Sequence, residues 1–333
     1  MKAAVFGGTG FIGSHVVEQL VSSGHDVTAI VRPSSDRQFL STLSLNVVPL
    51  ALDNDRALRR ALDGIDVVYN CTARPHPNLS LDEHRDIEVR LARDLARASA
   101  DAGVRRFVQL STIQVHGSRT PATPIDEKTP LRADTRFQQA YIEREQVIRE
   151  VGDKTGLETV IFRPASTIGM RDRVSFFTQL YRAYQQGRFP LARHNRGRTR
   201  ISLIDTRDLG RAMVWLGELT EAANEVYLGK GFDVCWRDLQ EKFDEMLGSI
   251  PQRPLPPAEL LYAVATVAEW LTPAPKIPFL MRYMVLSLTH DVVIDDSKLK
   301  HTGFQTHYVL DDSFRAALDD IRGNRFMPQA RSS

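Results

Sequence analysis

The stretch from Lys2 to Gly13, Lys-Ala-Ala-Val-Phe-Gly-Gly-Thr-Gly-Phe-Ile-Gly, constrains the fold of this chain more than any other. A short apolar strand runs into closely spaced glycines and then into a helix. Gly7 can turn tightly with positive φ, Gly10 lets the backbone approach a phosphate, and Gly13 lets the new helix lie close to the sheet. The helix N-terminus beyond them presents free N–H groups and a partial positive charge, which makes Thr9, Phe11 and Ile12 further candidates for holding a pyrophosphate. Glycine triplets occur in many loops, so the setting carries the weight. Ser14 to Val21 repeats its apolar positions at helical spacing, and after Gly24 a second strand, Asp26 to Val31, closes a β-α-β unit within about the thirty residues of a mononucleotide-binding half.

The end of that second strand discriminates between dinucleotides. An acid there would bind a ribose 2′-hydroxyl, but the chain has Val31 followed by Arg32, with Ser34, Ser35 and Arg37 close behind. A guanidinium suits a 2′-phosphate, so NADP(H) is expected over NAD(H), with Arg32 the contact; the alternative is that Arg32 only starts a solvated loop.

Further on, strands and helices keep alternating, the pattern of an α/β, doubly wound parallel sheet. Strands are expected at 66–70, 106–110 and 158–162, and helices at 56–62, 87–102 and 137–151. Ligands in such sheets sit outside the carboxyl ends of the strands, where Thr72, Thr112 and Pro164 fall. From about residue 172 the pattern changes to helices separated by short strands and Pro-rich turns. The expected organisation is a dinucleotide domain over 1–171, with 201–215 and parts of 225–235 returning to it, and a smaller, mostly helical substrate lobe over 172–330.

With 333 residues, 42% of them hydrophobic, the chain can bury a substantial core. A net charge of +2 provides no field for nucleic acid. Cys71 and Cys235 stand far apart without metal-ligand spacing, so no metal is expected, and free thiols suit a reducing compartment. The first strand begins too soon for a secretory signal, and the apolar segments 258–271 and 277–288 fall short of the roughly 20 residues that span a bilayer. A cytoplasmic protein is expected.

Several segments together carry a resemblance: Gly7 to Gly13; Leu52-Asp53; Asn70-Cys71-Thr72-Ala73; Ser111-Thr112-Ile113-Gln114-Val115-His116-Gly117; Asp126 to Pro130; Arg163-Pro164 with Gly169; and Leu203 to Asp208. In order and spacing the chain resembles the extended short-chain dehydrogenase/reductase family, including its NAD(P)-dependent epimerase/dehydratase and 3β-hydroxysteroid-dehydrogenase-like branches. The resemblance implies a Rossmann-type domain. It also implies a site where a Ser or Thr and a Tyr hold the reacting oxygen, while a Lys four residues after the Tyr binds the nicotinamide ribose. Thr112 and Tyr141 take the first two places; Leu52, Asp53, Thr72, Ala73 and Pro164 are expected along the cofactor.

The lysine is missing. Position 145 is Glu, and none of the eight tyrosines is followed four residues later by Lys. At about 5 Å and an effective dielectric near 20, that charge is worth roughly 3 kcal/mol, or on the order of two pKa units on the phenol. Three explanations stay open. Arg144, at i+3, supplies the charge and ribose contact, which a chain with 35 Arg and 8 Lys makes believable. Alternatively Glu145 or His116 moves protons while Tyr141 and Thr112 orient substrate. Or the site is redox-silent, and the protein performs a non-redox isomerisation or cyclisation or only holds cofactor.

The resemblance implies an arginine for a nucleotide-sugar diphosphate where this chain has Thr199. Apolar residues Leu260, Leu261, Tyr262, Val264, Val267, Trp270, Phe279, Met281, Tyr283 and Met284 suggest the cover of an apolar pocket. The expected activity is therefore an NADP(H)-dependent oxidoreductase acting on a carbonyl or secondary alcohol of an apolar small molecule, with an epimerase or dehydratase as the alternative. A homodimer through helices 87–102 and 137–151 is what relatives imply.

Overall fold

The computed structural model of the chain describes residues 1–52, 54–73, 79–119, 123–173, 175–190, 197–253, 255–272 and 282–323. Its strands are β1 (Lys2–Phe6), β2 (Asp26–Val31), β3 (Asn46–Pro49), β4 (Val67–Asn70), β5 (Arg106–Leu110), β6 (Glu158–Pro164), β7 (Ser166–Ile168), β8 (Arg200–Asp205), β9 (Val226–Gly229) and β10 (Phe232–Cys235). Its first helices are α1 (Phe11–Ser22), α2 (Asp55–Ala61), α3 (Leu81–His84), α4 (Leu91–Asp101), α5 (Arg136–Thr155) and α6 (Phe176–Gln185). They are followed by α7 (Thr206–Glu218), α8 (Trp236–Leu247), α9 (Ala258–Leu271), α10 (Arg282–Ser287), α11 (Ser297–His301) and α12 (Leu310–Gly323). Between α3 and α4 the chain winds through a π-helical segment, Arg85–Arg90.

Seven strands form one parallel sheet in the order β3-β2-β1-β4-β5-β6-β9. Chain order reverses between β1 and β4, which places the ligand crevice of such a sheet at their carboxyl ends. Both faces are covered, so β1 buries alternate residues on opposite sides. Ala3 and Val5 join the core with Val16, Leu20, Leu209 and Met213 under α1 and α7, while Ala4 and Phe6 join Leu58, Leu95 and Ile148 under α2, α4 and α5.

A second sheet, β10-β8-β7, supports the smaller lobe. Its core gathers Phe177, Tyr184, Phe189, Phe243 and Phe314 around α6, α8 and α12. Of the segments expected to return to the dinucleotide domain, β9 lies in the large sheet and α7 packs on it, whereas β8 and β10 pair in the small sheet. Among the described residues no helix is long and apolar enough to cross a membrane.

Arg106, fully buried at the start of β5, ties these layers together. Its Nη1 donates to the carbonyls of Leu216 and Gly217, both at 3.1 Å, and of Leu219 at 2.5 Å, while Nε donates to Glu158 at 2.8 Å. The last carbonyls of a helix have no intrahelical donor, and one guanidinium serves those of α7. Arg106→Ala leaves these carbonyls without their donor and Glu158 without its buried partner, so it should cost roughly 3 kcal/mol of unfolding free energy. Urea unfolding measures it; a loss below about 1 kcal/mol would show that water replaces the arginine.

Candidate active site

The parallel register sets Phe6 level with Asn70, Asn70 with Gln109, and Leu110 with Phe162. The segments that leave these strands, Gly7–Gly13, Cys71–Ala73, Ser111–Gln114 and Pro164, therefore emerge along one edge. Gly7 has φ +77°, and a Cβ on it would lie 2.8 Å from the Cys71 backbone. A Cβ on Gly13 would collide with the Gly7 carbonyl oxygen. The turn is closed by Gly10 N–H donating to Gly7 O at 2.9 Å, and Gly10 caps α1 without a side chain. The first turn of α1, which includes Phe11, Ile12 and Gly13, carries no acid. A glycine cradle against a helix N-terminus of this kind fits a dinucleotide pyrophosphate.

Around the cradle, Thr72 is held by Asn70, whose Oδ1 accepts from both the backbone N and Oγ1 of Thr72 at 3.1 and 2.7 Å. Ala73, Gly10 and Arg32 are exposed, Leu52 is half-buried, and Pro164 is buried at the end of β6. Asp53 lies outside the described residues. Arg32 makes no ion pair with the described residues.

Helix α5 opens on a capping box in which Thr135 and Gln138 bond each other's backbone N–H. It then buries Phe137, Tyr141, Arg144, Glu145 and Ile148 on one side, the i, i+4, i+7, i+8 and i+11 spacing of a core-facing stripe. Tyr141 is 7% exposed and stacks edge-on against Phe137 at 5.9 Å, beside Val115. Its hydroxyl has no hydrogen-bond partner among the described residues. Burial pushes the phenol above its ordinary value, the nearby Glu88 carboxylate pushes it further, and Arg144 opposes both. Thr112, half-buried, accepts from Gln114 N at 3.3 Å and so caps the short turn Ile113–His116.

Two candidates on α5 are engaged by neighbours. Arg144 sits over the Tyr141 ring, 4.3 Å from its centroid, and is buried: Nη1 donates to Glu88 at 2.6 Å and Nη2 to the Leu110 carbonyl at 3.0 Å. Its Nε has no partner among the described residues. Glu145 is buried too, accepting from Arg163 Nε at 3.0 Å, Arg163 Nη2 at 2.5 Å and Ser111 Oγ at 2.5 Å. A carboxylate occupied in this way balances the buried Arg163 charge. Arg163 also donates through Nη1 to His116 Nε2 at 3.3 Å, which assigns the His116 proton to Nδ1, facing the Pro130 carbonyl at 3.4 Å. Sequence reasoning missed Glu88 and Ser111. Glu88 faces Arg144 from the π-helical segment, which no sequence signal marked, and Ser111 stood beside the more conspicuous Thr112.

The expected cover of an apolar pocket is also revised. Leu260, Val264, Val267 and Trp270 are exposed, Trp270 by 82%, and among the described residues of α9 only Ala265 and Ala268 are buried. Phe279 and Met281, and the side chains of Tyr283 and Met284, lie outside the description. Thr199 faces inward, donating to the Leu288 carbonyl at 2.8 Å, while Arg198 and Arg200 are exposed.

Residues 3–228 match the NAD dependent epimerase/dehydratase family. The chain belongs to that family. It is 26% identical to a 4-hydroxy-2-methyl-3-oxo-4-farnesyl-3,4-dihydroquinoline-1-oxide ketoreductase of Stigmatella aurantiaca over 95% of this chain and 96% of that protein. The fold is shared with a nucleoside-diphosphate-sugar epimerase from Pseudomonas aeruginosa (TM-score 0.79, 23% identity, 98% and 99% of the two chains). It is shared as well with a dTDP-glucose 4,6-dehydratase from Streptomyces venezuelae solved with NAD (TM-score 0.76, 21% identity, 98% of each). Members of the family and these relatives are NAD(P)-dependent enzymes of the short-chain dehydrogenase/reductase type.

Two buried histidines make the fold acid-sensitive. Burial first, then the Arg163 charge, lowers His116 from 6.5 to about 4; burial and Arg171 lower His15 to about 3. Both are neutral in the fold, so below pH 6.5 the unfolded chain alone takes up their protons. Their contribution to stability is complete above about pH 6.5 and is lost as the pH falls toward 4, on the order of 3 kcal/mol for His116 alone. Unfolding free energies of wild type and His116→Gln between pH 7 and 4.5 should show a shallower decline in the variant; parallel declines would place the proton uptake elsewhere.

Proposed function

We propose that this chain is an NADP(H)-dependent reductase of a ketone or aldehyde on an apolar small molecule. The observation that carries the direction is the state of Tyr141. Its phenol is buried, and the one cation against its ring among the described residues, Arg144, is already paired with Glu88. Near neutral pH it stays protonated, so it donates a hydrogen bond to a carbonyl oxygen and then a proton to the oxyanion. It is poorly suited to draw a proton from an alcohol. Thr112 Oγ1 offers a second hydroxyl to the same oxygen. The Gly7–Gly13 turn would hold the pyrophosphate of a reduced dinucleotide, which would supply the hydride.

The preference for NADP(H) rests on Arg32 at the end of β2, with no acid in its place. The apolar substrate is supported by the similarity to a ketoreductase named for a farnesyl-bearing dihydroquinoline oxide, and by Thr199 where an arginine would grip a diphosphate. Purified protein should bind NADPH more tightly than NADH and consume it when apolar ketones are added. Tyr141→Phe should lose on the order of 10²-fold in kcat while keeping NADPH affinity within about twofold, because the phenol acts only on the reacting oxygen. Unchanged turnover in that variant would sink the assignment.

One observation favours a second reading. Position 145 faces Arg163 and Ser111, and Phe137, one turn before Tyr141, has no polar side-chain atom. A hydroxyl paired with a ribose-binding cation four residues later is therefore missing along this face of α5. The chain would then hold the dinucleotide while performing a step without net redox change. Tight NADPH binding with no consumption across the ketone panel is the outcome that selects it.

A further inference from the structure

Two loops distant in sequence meet beside the carboxyl end of β2. The first, Arg32 to Phe39, carries Arg32 and Arg37, and Asp36 is its only acid. Arg37 donates through Nη2 to the Pro33 carbonyl at 2.9 Å, and its Nε is buried without a partner. The second, Met170 to Arg173, follows β7 and is rigidly held. Arg171 takes the left-handed conformation at φ +66°, and its Nη2 donates to His15 Nδ1 at 2.6 Å and Glu18 at 2.5 Å. Its backbone N donates to Asp320 at 2.8 Å, and its guanidinium lies 4.1 Å from the centroid of the Phe39 ring in the first loop. Asp172 is buried and caps α6 through Ser175 N and Thr178 N. Arg173 follows directly, half-exposed, and reaches across to Asp36 at 3.8 Å.

We infer that Arg173 is a specificity residue for the 2′-phosphate of the dinucleotide, reaching it from the second loop opposite Arg32 and Arg37, with Asp36 as its internal competitor. This rests on the NADP(H) assignment above. Arg171 and Asp172 spend their side chains on anchoring, which leaves the Arg173 guanidinium as the cation this loop presents to the nucleotide side. A dianionic phosphate near Arg32 would draw Arg173 from the monoanionic Asp36, to which it is held only at long range. Asp36 itself repels that phosphate. A 2′-hydroxyl would offer Arg173 no such charge, so the residue acts on one dinucleotide and not on the other.

The experiment is calorimetric titration of the full chain with adenosine 2′,5′-bisphosphate and with 5′-AMP, which differ only in the 2′-phosphate. Wild type should prefer the bisphosphate. Arg173→Ala should reduce that preference about tenfold, the scale of one charge-assisted pair, and leave 5′-AMP affinity unchanged. Asp36→Asn, which keeps an oxygen for Gln38 N, should raise bisphosphate affinity about threefold, and more at low salt than at high. An unchanged preference in both variants overturns the inference while the NADP(H) assignment stands. Equal weakening of both ligands by Arg173→Ala, without gain in Asp36→Asn, reduces Arg173 to a structural role and overturns it too. A wild type indifferent to the 2′-phosphate refutes the assignment, and the inference with it.

Discussion

The buried ion pair between Arg163 at the end of β6 and Glu145 in α5 sets the geometry on which the rest of the site depends. Each charge alone would cost several kcal/mol to remove from water, and that cost is offset only when nearly every donor and acceptor is satisfied. Here both carboxylate oxygens are used, Ser111 adds a third bond from the end of β5, and the remaining Arg163 edge meets His116. The arrangement locks α5 against two strands in a single register. Tyr141 stands one turn from Glu145 and Thr112 follows Ser111, so these two hydroxyls inherit their positions from this pair. Arg144 and Glu88 repeat the device between α5 and the π-helical segment.

Charge is consequently distributed unevenly along the crevice. At the chemical end, each described ionic side chain near Tyr141 is neutralised by a neighbour, His116 is neutral, and Phe137 and Val115 form an apolar wall. A phenol in those surroundings serves as a hydrogen-bond donor. Beside the carboxyl end of β2 the charges are less closely paired: Arg32 is exposed, and Arg173 has a long contact to Asp36. Neutral chemistry at one end and charge recognition at the other suit a ligand that is anionic at its adenosine end and reacts at an uncharged ring.

The first β-α-β unit could be read from the sequence because its signals are local: glycines at fixed offsets, an apolar strand, a helix of period 3.6. Helix α5 could be read over 137–151 for the same reason, although its Thr135-Gln138 cap was not. The partner of Glu145 could not. Arg163 is eighteen residues away in another element, and an i+3, i+4 pattern on a helix says which residues share a face without saying what they meet. Strand β3 escaped notice because four residues at a sheet edge, two exposed and two half-buried, leave little periodicity. Apolar residues at helical spacing look alike whether they meet a core or solvent, so the exposure of one face of α9 could not be read from the sequence.

By itself the sequence determined that the chain would build a doubly wound sheet with a tight glycine turn at Gly7–Gly13, and that no lysine would follow Tyr141 by four residues. Both depend on residue identity and short-range backbone geometry. Tertiary structure alone decided that Glu145 would face Arg163, that Glu88 would neutralise Arg144, and that β8 and β10 would pair in the small sheet. These outcomes turn on which buried charges and strand edges find partners from distant parts of the chain, and desolvation leaves a closed core few ways to satisfy them.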